Sequence, residues 1–219
     1  MGFRIAIDGP AGAGKSTIAK RVAADRGYIY VDTGAMYRAM ALFMIESGIA
    51  PDDTSAVARA CVNADINIKY EEGIQCVYLN GKNVNELIRT EQVSAAASKT
   101  SAVREVRIKL VALQQDLARR NNVVMDGRDI GTKVIPDAEL KIFLTASSEV
   151  RAKRRYDENL SKGMNGGSLE QIKAEIEERD YRDSHRTESP LVKAEDAVVV
   201  DTSDMTIDEV VAKVEELAG

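Results

Sequence analysis

Cysteine and histidine are scarce in this chain, which has two cysteines, Cys61 and Cys76, and one histidine, His185. The cysteines show no metal-ligand spacing, so we expect buried thiols in a reducing compartment. We expect His185 at the surface, without a chemical role. No apolar run approaches the roughly 18 residues of a membrane span. The apolar start, Phe3–Ile7, is too short for a signal peptide, and the expected location is the cytoplasm.

The chain also has no excess of positive charge. Its net charge is −5 over 219 residues, which gives no general attraction to nucleic acid or to anionic membranes. We therefore expect neither as a partner, and any anion site must be built locally. The length allows one domain with insertions, or one core with two small appendages, and we expect a monomer that acts on small molecules.

Short apolar runs without polar alternation predict buried parallel strands. These runs are Phe3–Asp8, Tyr28–Asp32, Val123–Asp126, Leu140–Leu144 and Ala197–Asp201. Helical patterns follow at Lys15–Arg26, Ala35–Glu46 and Val103–Arg120, and capping-box pairs start two later helices at Ser168/Gln171 and Thr206/Glu209. The alternation predicts an α/β fold, a parallel sheet wrapped by helices.

Residues 66–85 break this alternation. The segments Ile66–Tyr70, Cys76–Leu79 and Lys82–Val84 read as short strands, and Asn80-Gly81 is a strong type I′ hairpin signal. A small antiparallel sheet is therefore expected as an insertion into the α/β core.

A phosphate-binding loop follows the first predicted strand. Gly9-Pro10-Ala11-Gly12-Ala13-Gly14-Lys15-Ser16 matches the pattern G-x-x-x-x-G-K-[ST], with the required strand before it and helix after it. Loop N–H groups and the helix dipole should cradle the phosphates of ATP. Lys15, expected to be solvated when ATP is absent, should reach the β- and γ-phosphates. Ser16 should hold Mg²⁺, and Thr17 should bind the α-phosphate.

Asp126 ends the apolar strand Val123–Asp126, which is the position of a carboxylate that contacts Mg²⁺ directly or through water. The alternative is a simple turn-forming aspartate, because aspartates are common at strand ends.

Two further segments should face the phosphate loop, because ligands of open α/β sheets bind beyond the carboxyl ends of the strands. They are 32–38 and 126–132, and they carry Arg38 and Arg128, whose guanidinium groups suit a phosphate dianion. A third cluster spans 179–186. If it is helical, Arg179, Asp183 and Arg186 share one face. The alternative for Arg38 and Arg128 is that they face solvent in ordinary loops. The alternative for 179–186 is a solvated helix with internal ion pairs.

Arg151, Arg154 and Arg155 fall on one predicted helix face, just before the glycine-rich elbow Lys162–Gly167. A basic face beside a hinge suits a lid that closes over ATP and excludes water. The alternative is a solvated basic helix.

Together these segments closely resemble bacterial cytidylate kinases, within the nucleoside monophosphate kinases. The resemblance runs nearly end to end. It is carried by 8–15, 32–38, Ile88-Arg89-Thr90, 126–132, Glu178-Arg179-Asp180 and Ser189-Pro190-Leu191. It implies a P-loop core at about 1–60, 86–147 and 186–219. It further implies a nucleotide-binding insert at about 61–85 with flanking helices, and a lid at about 148–170.

The resemblance also implies residue roles. Ser98, Arg104 and Asp129 look like the residues that recognise cytosine, and Arg38, Arg128 and Arg186 look like the clamp on the acceptor phosphate. Arg179 and Asp183 would lie at the ribose, and Thr33 in the same acceptor site. Lys15, Arg128 and Arg155 are the expected catalytic cations, with Arg151 and Arg154 on the ATP side.

The implied reaction is direct in-line transfer of the γ-phosphoryl group of ATP to CMP or dCMP, giving CDP or dCDP, with Mg²⁺ as cofactor. A kinase for another acceptor, such as uridylate, shikimate or dephospho-coenzyme A, is disfavoured by the Asp-Gly-Arg-Asp segment and by the inserted sheet. A nucleotide-dependent switch protein should carry an Asn-Lys-x-Asp motif, which the chain lacks.

Overall fold

The computed structural model of the protein describes residues 2–161, 163 and 167–219. Its main sheet is built from β1 (Arg4–Asp8), β2 (Ile29–Asp32), β6 (Val123–Gly127), β7 (Leu140–Thr145) and β8 (Val198–Asp201). These strands are parallel and lie in the order β2-β6-β1-β7-β8. Each was predicted to within one residue at either end. The α/β prediction is confirmed.

Helices cover both faces of this sheet. They are α1 (Lys15–Arg26), α2 (Thr33–Glu46), α3 (Thr54–Ala60), α4 (Glu91–Thr100), α5 (Arg104–Arg120), α6 (Ser148–Ser161), α7 (Leu169–His185) and α8 (Ile207–Ala218). Both predicted capping boxes are present, at the starts of α7 and α8. Helix α2 starts two residues before the predicted position, because Asp32 Oδ1 accepts the N–H of Ala35 at 2.9 Å.

Successive strand residues point to opposite faces, and each face has its own apolar core. Ile5 and Ile7 pack with α1 and α8, whereas Ala6 between them packs with α2 and α5. Burial on both faces explains why these strands read as continuous apolar runs.

The inserted sheet is antiparallel and consists of β3 (Ile66–Glu71), β4 (Ile74–Leu79) and β5 (Lys82–Asn83). Asn80 and Gly81 have φ values of 49° and 81°, the two positive values that a type I′ turn requires. The prediction of a hairpin there is confirmed. Strand β4 begins earlier than predicted, because a second tight turn at Glu72-Gly73 precedes it.

Gln75 of β4 joins the inserted sheet to the edge of the main sheet. Its Oε1 accepts the backbone N–H of Asp32 at 2.8 Å, and its Nε2 donates to the backbone oxygen of Asp32 at 3.1 Å. Gln75 thus satisfies both peptide groups of Asp32 on edge strand β2.

Cys61 and Cys76 are buried free thiols, as predicted, and His185 is exposed. No helix in the part of the chain that the structure describes is long and apolar enough to cross a membrane. Of the predicted elbow, only Gly163 and Gly167 belong to the described residues; Lys162 and residues 164–166 lie outside them.

Candidate active site

The phosphate loop connects β1 to α1 in a backbone shape that depends on its glycines. Gly9, Gly12 and Gly14 have φ values of 149°, 76° and 86°, in the region that side chains rarely adopt. A Cβ on Gly9 would lie 1.9 Å from the backbone oxygen of Leu144 on β7. The loop therefore packs tightly on the sheet, and α1 begins without a side-chain cap, which leaves its N-terminal N–H groups for an anion.

Lys15 does not face solvent, and that prediction is wrong. The side chain is buried, and its Nζ donates to the backbone oxygen of Pro10 at 2.7 Å. Burial, and then the positive charge of Arg128, lower the pKa of Lys15 well below its ordinary value. The loop carbonyl thus provides the ammonium group with an acceptor beside the place where phosphates would bind.

Asp126 lies at the carboxyl end of β6, where both of its carboxylate oxygens accept hydrogen bonds. Oδ2 accepts from the hydroxyl of Ser16 at 2.8 Å, and Oδ1 accepts from the hydroxyl of Tyr30 at 2.8 Å. Burial, and then the negative charge of Asp32, raise the pKa of Asp126. Ser16 and Asp126, which are far apart in sequence, therefore form one oxygen-rich corner beside the loop.

The donor set at this corner fits Mg²⁺. Magnesium prefers hard oxygen ligands and is usually held by one or two protein groups together with phosphates and water. Ser16 and Asp126 offer a hydroxyl and a carboxylate. Across residues 2–161, 163 and 167–219, no cluster of three or more metal-ligating side chains exists that would hold an ion without a substrate.

A cavity of about 220 Å³ opens between the phosphate loop and the ends of β2 and β6. Its lining is rich in arginine. The predicted site residues that reach it are Ala11, Gly12, Lys15, Ser16, Thr33, Arg38, Ser98, Asp126, Arg128, Asp129, Arg155, Arg179, Asp183 and Arg186. Segments far apart in the chain thus meet at one site, as the rule for open sheets predicts.

Positive charge in the cavity exceeds what its carboxylates balance. Arg128 Nε donates to Asp183 Oδ2 at 2.8 Å, and Arg38 Nη2 lies 3.3 Å from Asp32 Oδ2. Burial, and then the charge of Arg128, lower the pKa of Arg179 to about 10. Burial alone would raise the pKa of Asp183, but the surrounding guanidinium groups, Arg128 first, hold it below its ordinary value.

Several of these guanidinium groups have nitrogen atoms with unused hydrogen-bonding capacity. Nε of Arg38, Nε of Arg179 and Nη2 of Arg186 are buried without a hydrogen-bond partner among the described residues. Buried donors of this kind are costly unless something accepts from them. An anion with several oxygen acceptors, such as a phosphate, would satisfy them.

Arg104 does not line the cavity, whereas Arg107, which sequence reasoning missed, does. Arg104 is exposed in the first turn of α5. Arg107, one turn later, is buried, lines the cavity and donates to Asp129 Oδ2. Its guanidinium group lies 5.4 Å from the ring centre of Tyr37. Only the direction from which α5 meets the sheet distinguishes these two arginines.

Asp129 is buried between two arginines. Its Oδ2 accepts from Arg107, and its Oδ1 lies 3.8 Å from Nη2 of Arg186. Ser98 on α4 also borders the cavity, and its hydroxyl is buried without a hydrogen-bond partner in the described structure. The cavity lining therefore offers a hydroxyl and a carboxylate together with guanidinium groups.

The arginines of α6 bind different parts of the protein. Arg151 is buried and donates to the backbone oxygens of Ala146 at 2.9 Å and Ala11 at 3.0 Å, and to Asp180 at 2.5 Å. Arg154 binds the hydroxyl and backbone oxygen of Thr202, at 3.0 and 2.6 Å. Arg155, in contrast, borders the cavity.

Asp8 supports the turn that follows Asp129. Its two carboxylate oxygens accept the backbone N–H groups of Ile130 and Gly131, at 2.8 and 2.7 Å. These residues follow Asp129 directly, so Asp8 fixes the chain just after it. The Asp8 side chain is buried at the carboxyl end of β1, beside the phosphate loop.

A parallel sheet whose first loop can cradle phosphates, with an arginine-lined cavity next to that loop, defines a P-loop phosphotransferase. Comparison with known proteins narrows this class. The family model for cytidylate kinase matches residues 5–219, and the chain belongs to the cytidylate kinase family.

Relatives agree with this family assignment, and a solved structure shares the fold. The chain is 53% identical over 215 residues to a cytidylate kinase of Caldicellulosiruptor saccharolyticus, covering 98% of this chain and 95% of that protein. It is 51% identical to a cytidylate kinase of Lactobacillus johnsonii, over 98% and 93% of the two chains. A gluconokinase structure from Sinorhizobium meliloti aligns with a TM-score of 0.50 at 16% identity, over 99% of this chain and 91% of that one, and shows the fold alone.

Proposed function

We propose that the chain carries out the reaction of its family, ATP-dependent phosphorylation of CMP, and that it accepts dCMP as well. The observation that carries the proposal is the buried, incompletely balanced arginine cluster directly beside the phosphate loop. A loop alone would suit any ATP-binding protein. A second phosphate-binding cavity next to it suits an enzyme whose acceptor is itself a phosphate ester.

On the ATP side, we propose that the 9–14 loop and Thr17 bind the phosphates, with Lys15 on the β- and γ-phosphates. Ser16 and Asp126 would hold Mg²⁺, Asp126 directly or through water. When bound, the ion would neutralise charge on the phosphate oxygens. Lys15 would leave the Pro10 oxygen for a phosphate oxygen, a stronger acceptor because it is charged.

On the acceptor side, the proposed clamp for the phosphate is Arg38, Arg128 and Arg186, with Thr33 beside it and Arg179 and Asp183 at the ribose. Cytosine offers an amine donor and the acceptors N3 and O2. Ser98 or Asp129 can take the amine, and we assign the arginine that serves the acceptors to Arg107 instead of Arg104. The burial of Arg107 and its contact with Asp129 support this change.

We propose direct in-line transfer without a covalent intermediate. The acceptor phosphate is already a competent nucleophile, so no side chain has to remove a proton. Catalysis then consists of positioning and charge neutralisation. Lys15, Arg128 and Arg155 are placed to supply the positive charge, since all three border the cavity.

We further propose the division into a P-loop core, an insert at about 61–85 with flanking helices, and a lid at about 148–170. Arg151 and Arg154 are hydrogen-bonded to the backbone of other segments, which supports a lid whose moving part begins after Arg154. We also propose that the enzyme acts as a monomer, since one chain supplies the whole lining described above. The two free thiols support a cytoplasmic location.

An acceptor panel tests the function. Initial rates with ATP and CMP, dCMP, UMP or AMP should rank CMP and dCMP first. A preference for UMP would replace the base assignment with that of another nucleotide kinase. ATP binding without turnover of any acceptor would favour a nucleotide-dependent binding protein and overturn the proposal.

Base recognition has a test of its own. Asp129→Ala should impair CMP more than UMP, because the amine that distinguishes cytosine from uracil would lose its acceptor. Equal loss with both substrates would show that Asp129 does not read the base.

A further inference from the structure

Asp126 is restrained at both of its carboxylate oxygens. Ser16 contacts Oδ2 and Tyr30 contacts Oδ1, each at 2.8 Å. The torsion that rotates a carboxylate about its Cβ–Cγ bond is soft, so an aspartate bonded at one oxygen keeps considerable freedom. Two hydroxyl donors, one at each oxygen, fix the plane of the group.

Strand register places Tyr30 where it can do this. Strands β2 and β6 are parallel neighbours, with Asp32 opposite Asp126 and Tyr30 opposite Val124. Residues two apart in a strand share a face, so Tyr30 and Asp126 lie on the same side of the sheet, one pair apart along it. The phenol ring spans that distance and ends at Oδ1.

Tyr30 is itself well supported. Its backbone oxygen accepts a hydrogen bond from the hydroxyl of Tyr70 at 3.1 Å, and Nζ of Lys20 lies 5.5 Å from the centre of its ring. A phenol has one hydrogen to donate and a carboxylate can only accept, so Tyr30 is the donor in its contact with Asp126.

We propose that Tyr30 is a positioning residue for Mg²⁺–ATP: by occupying Oδ1, it turns Oδ2 of Asp126 toward Ser16 and the phosphate loop. This inference rests on the proposed function only in taking Mg²⁺–ATP as the ligand of that corner. Partners that orient a metal-binding carboxylate are worth roughly 10- to 100-fold in metal affinity. Tyr30 is thus predicted to strengthen the coupling between Mg²⁺ and ATP without touching either.

The variant Tyr30→Phe tests this, because it removes one hydroxyl and keeps the ring. Calorimetry gives the affinity for ATP with Mg²⁺ and in EDTA, without any acceptor. We expect Mg²⁺ to improve ATP affinity about tenfold less in the variant than in the wild type. ATP affinity in EDTA and CMP affinity should both stay within about twofold of the wild type.

Tyr70→Phe is the matched control. It removes a phenol that contacts the same strand through the backbone oxygen of Tyr30, away from Asp126. It should leave the effect of Mg²⁺ on ATP affinity unchanged. If both variants lose ATP affinity equally with and without Mg²⁺, Tyr30 is a packing residue and the proposal is wrong. An unchanged Mg²⁺ effect in Tyr30→Phe also overturns it.

A double-mutant cycle tests whether Tyr30 acts through Asp126. Once Asp126 is replaced by alanine, Tyr30→Phe should have no further effect on the Mg²⁺ dependence of ATP binding. An additional loss in that background would mean that Tyr30 acts elsewhere. The acceptor panel is independent of these measurements, so a wrong substrate assignment would leave the result for Tyr30 intact.

Discussion

Arg107 and Asp129 form a buried ion pair in the lining of the cavity, with side chains only 5% and 6% exposed. Burying a charged pair this deeply costs free energy, because both ions lose their hydration water. Arg107 also keeps a buried Nε without a hydrogen-bond partner in the described structure, and both residues line the cavity. These observations support the proposal that Arg107 and Asp129 contact the base.

The two neighbouring arginines of α5 give a matched comparison. Arg107→Met should lower kcat/KM for CMP by about tenfold to a hundredfold, because the acceptors of the base lose their donor and Asp129 loses its partner. Arg104→Met, which changes an exposed side chain, should remain near the wild type. Thermal melts should show the same contrast. Equal effects of the two substitutions would contradict the assignment of Arg107 to base recognition.

Lys15→Ala should reduce kcat by at least about two orders of magnitude, because the transferring group loses a positive charge. The same substitution should leave the free energy of unfolding nearly unchanged or raise it, since burial and Arg128 already disfavour the charged ammonium. Urea unfolding and initial rates measure the two quantities. Lys153→Ala is a suitable control, because Lys153 is exposed and pairs with Asp157 on its own helix. More than about a tenth of wild-type kcat in Lys15→Ala would contradict its role.

Asp8 should make stability depend on pH. Burial raises the pKa of Asp8 to about 6, although the N–H groups of Gly131 and Ile130 favour its carboxylate. Since this value lies above that of the unfolded chain, the protonated group stabilises the fold at low pH. That contribution is lost as the pH rises through about 6.

Asp8→Asn does not titrate, so the difference in unfolding free energy between wild type and variant isolates this carboxyl group. The difference, wild type minus variant, should fall by on the order of 2–3 kcal/mol between about pH 4 and about pH 8. Denaturant unfolding at several pH values measures it. A flat result for Asp8 would show that its pKa is not raised.

The lid should gain protection from hydrogen exchange when both nucleotides bind, because phosphates neutralise its arginines. Exchange over residues 151–167, with and without a bisubstrate analogue, measures this. The gain should begin after Arg154, since Arg151 and Arg154 are already held by backbone oxygens. Equal protection in the two states would mean that this segment is a rigid surface helix and not a lid. Water exclusion would then be assigned to movement of the inserted sheet.

The sequence predicted most of the elements that form the site, because local signals define them. A strand followed by a glycine loop and a helix, or an Asn-Gly turn between short strands, depends on backbone preferences of a few neighbouring residues. The strands of the main sheet, the phosphate loop and the inserted hairpin are such cases.

What the sequence did not predict depends on packing between distant segments. Arg104 and Arg107 share a helix, and only the approach of α5 to the sheet decides which one enters the cavity. Lys15 is buried because the loop folds back on it. Tyr30 gave no signal as a site residue, because its role follows from the register of β2 against β6.

Gln75 limits how readily the inserted sheet of this protein could be replaced by the corresponding segment of a relative. It satisfies both peptide groups of Asp32, whose carboxylate also caps α2 and contacts Arg38. The inserted sheet is thus joined to the main sheet through the residue that caps the start of α2. A chimaera that transplants the insert without a glutamine at this place would leave the edge of β2 unsatisfied and loosen the start of α2. The insert is therefore not a freely interchangeable module, and a successful graft must carry this contact with it.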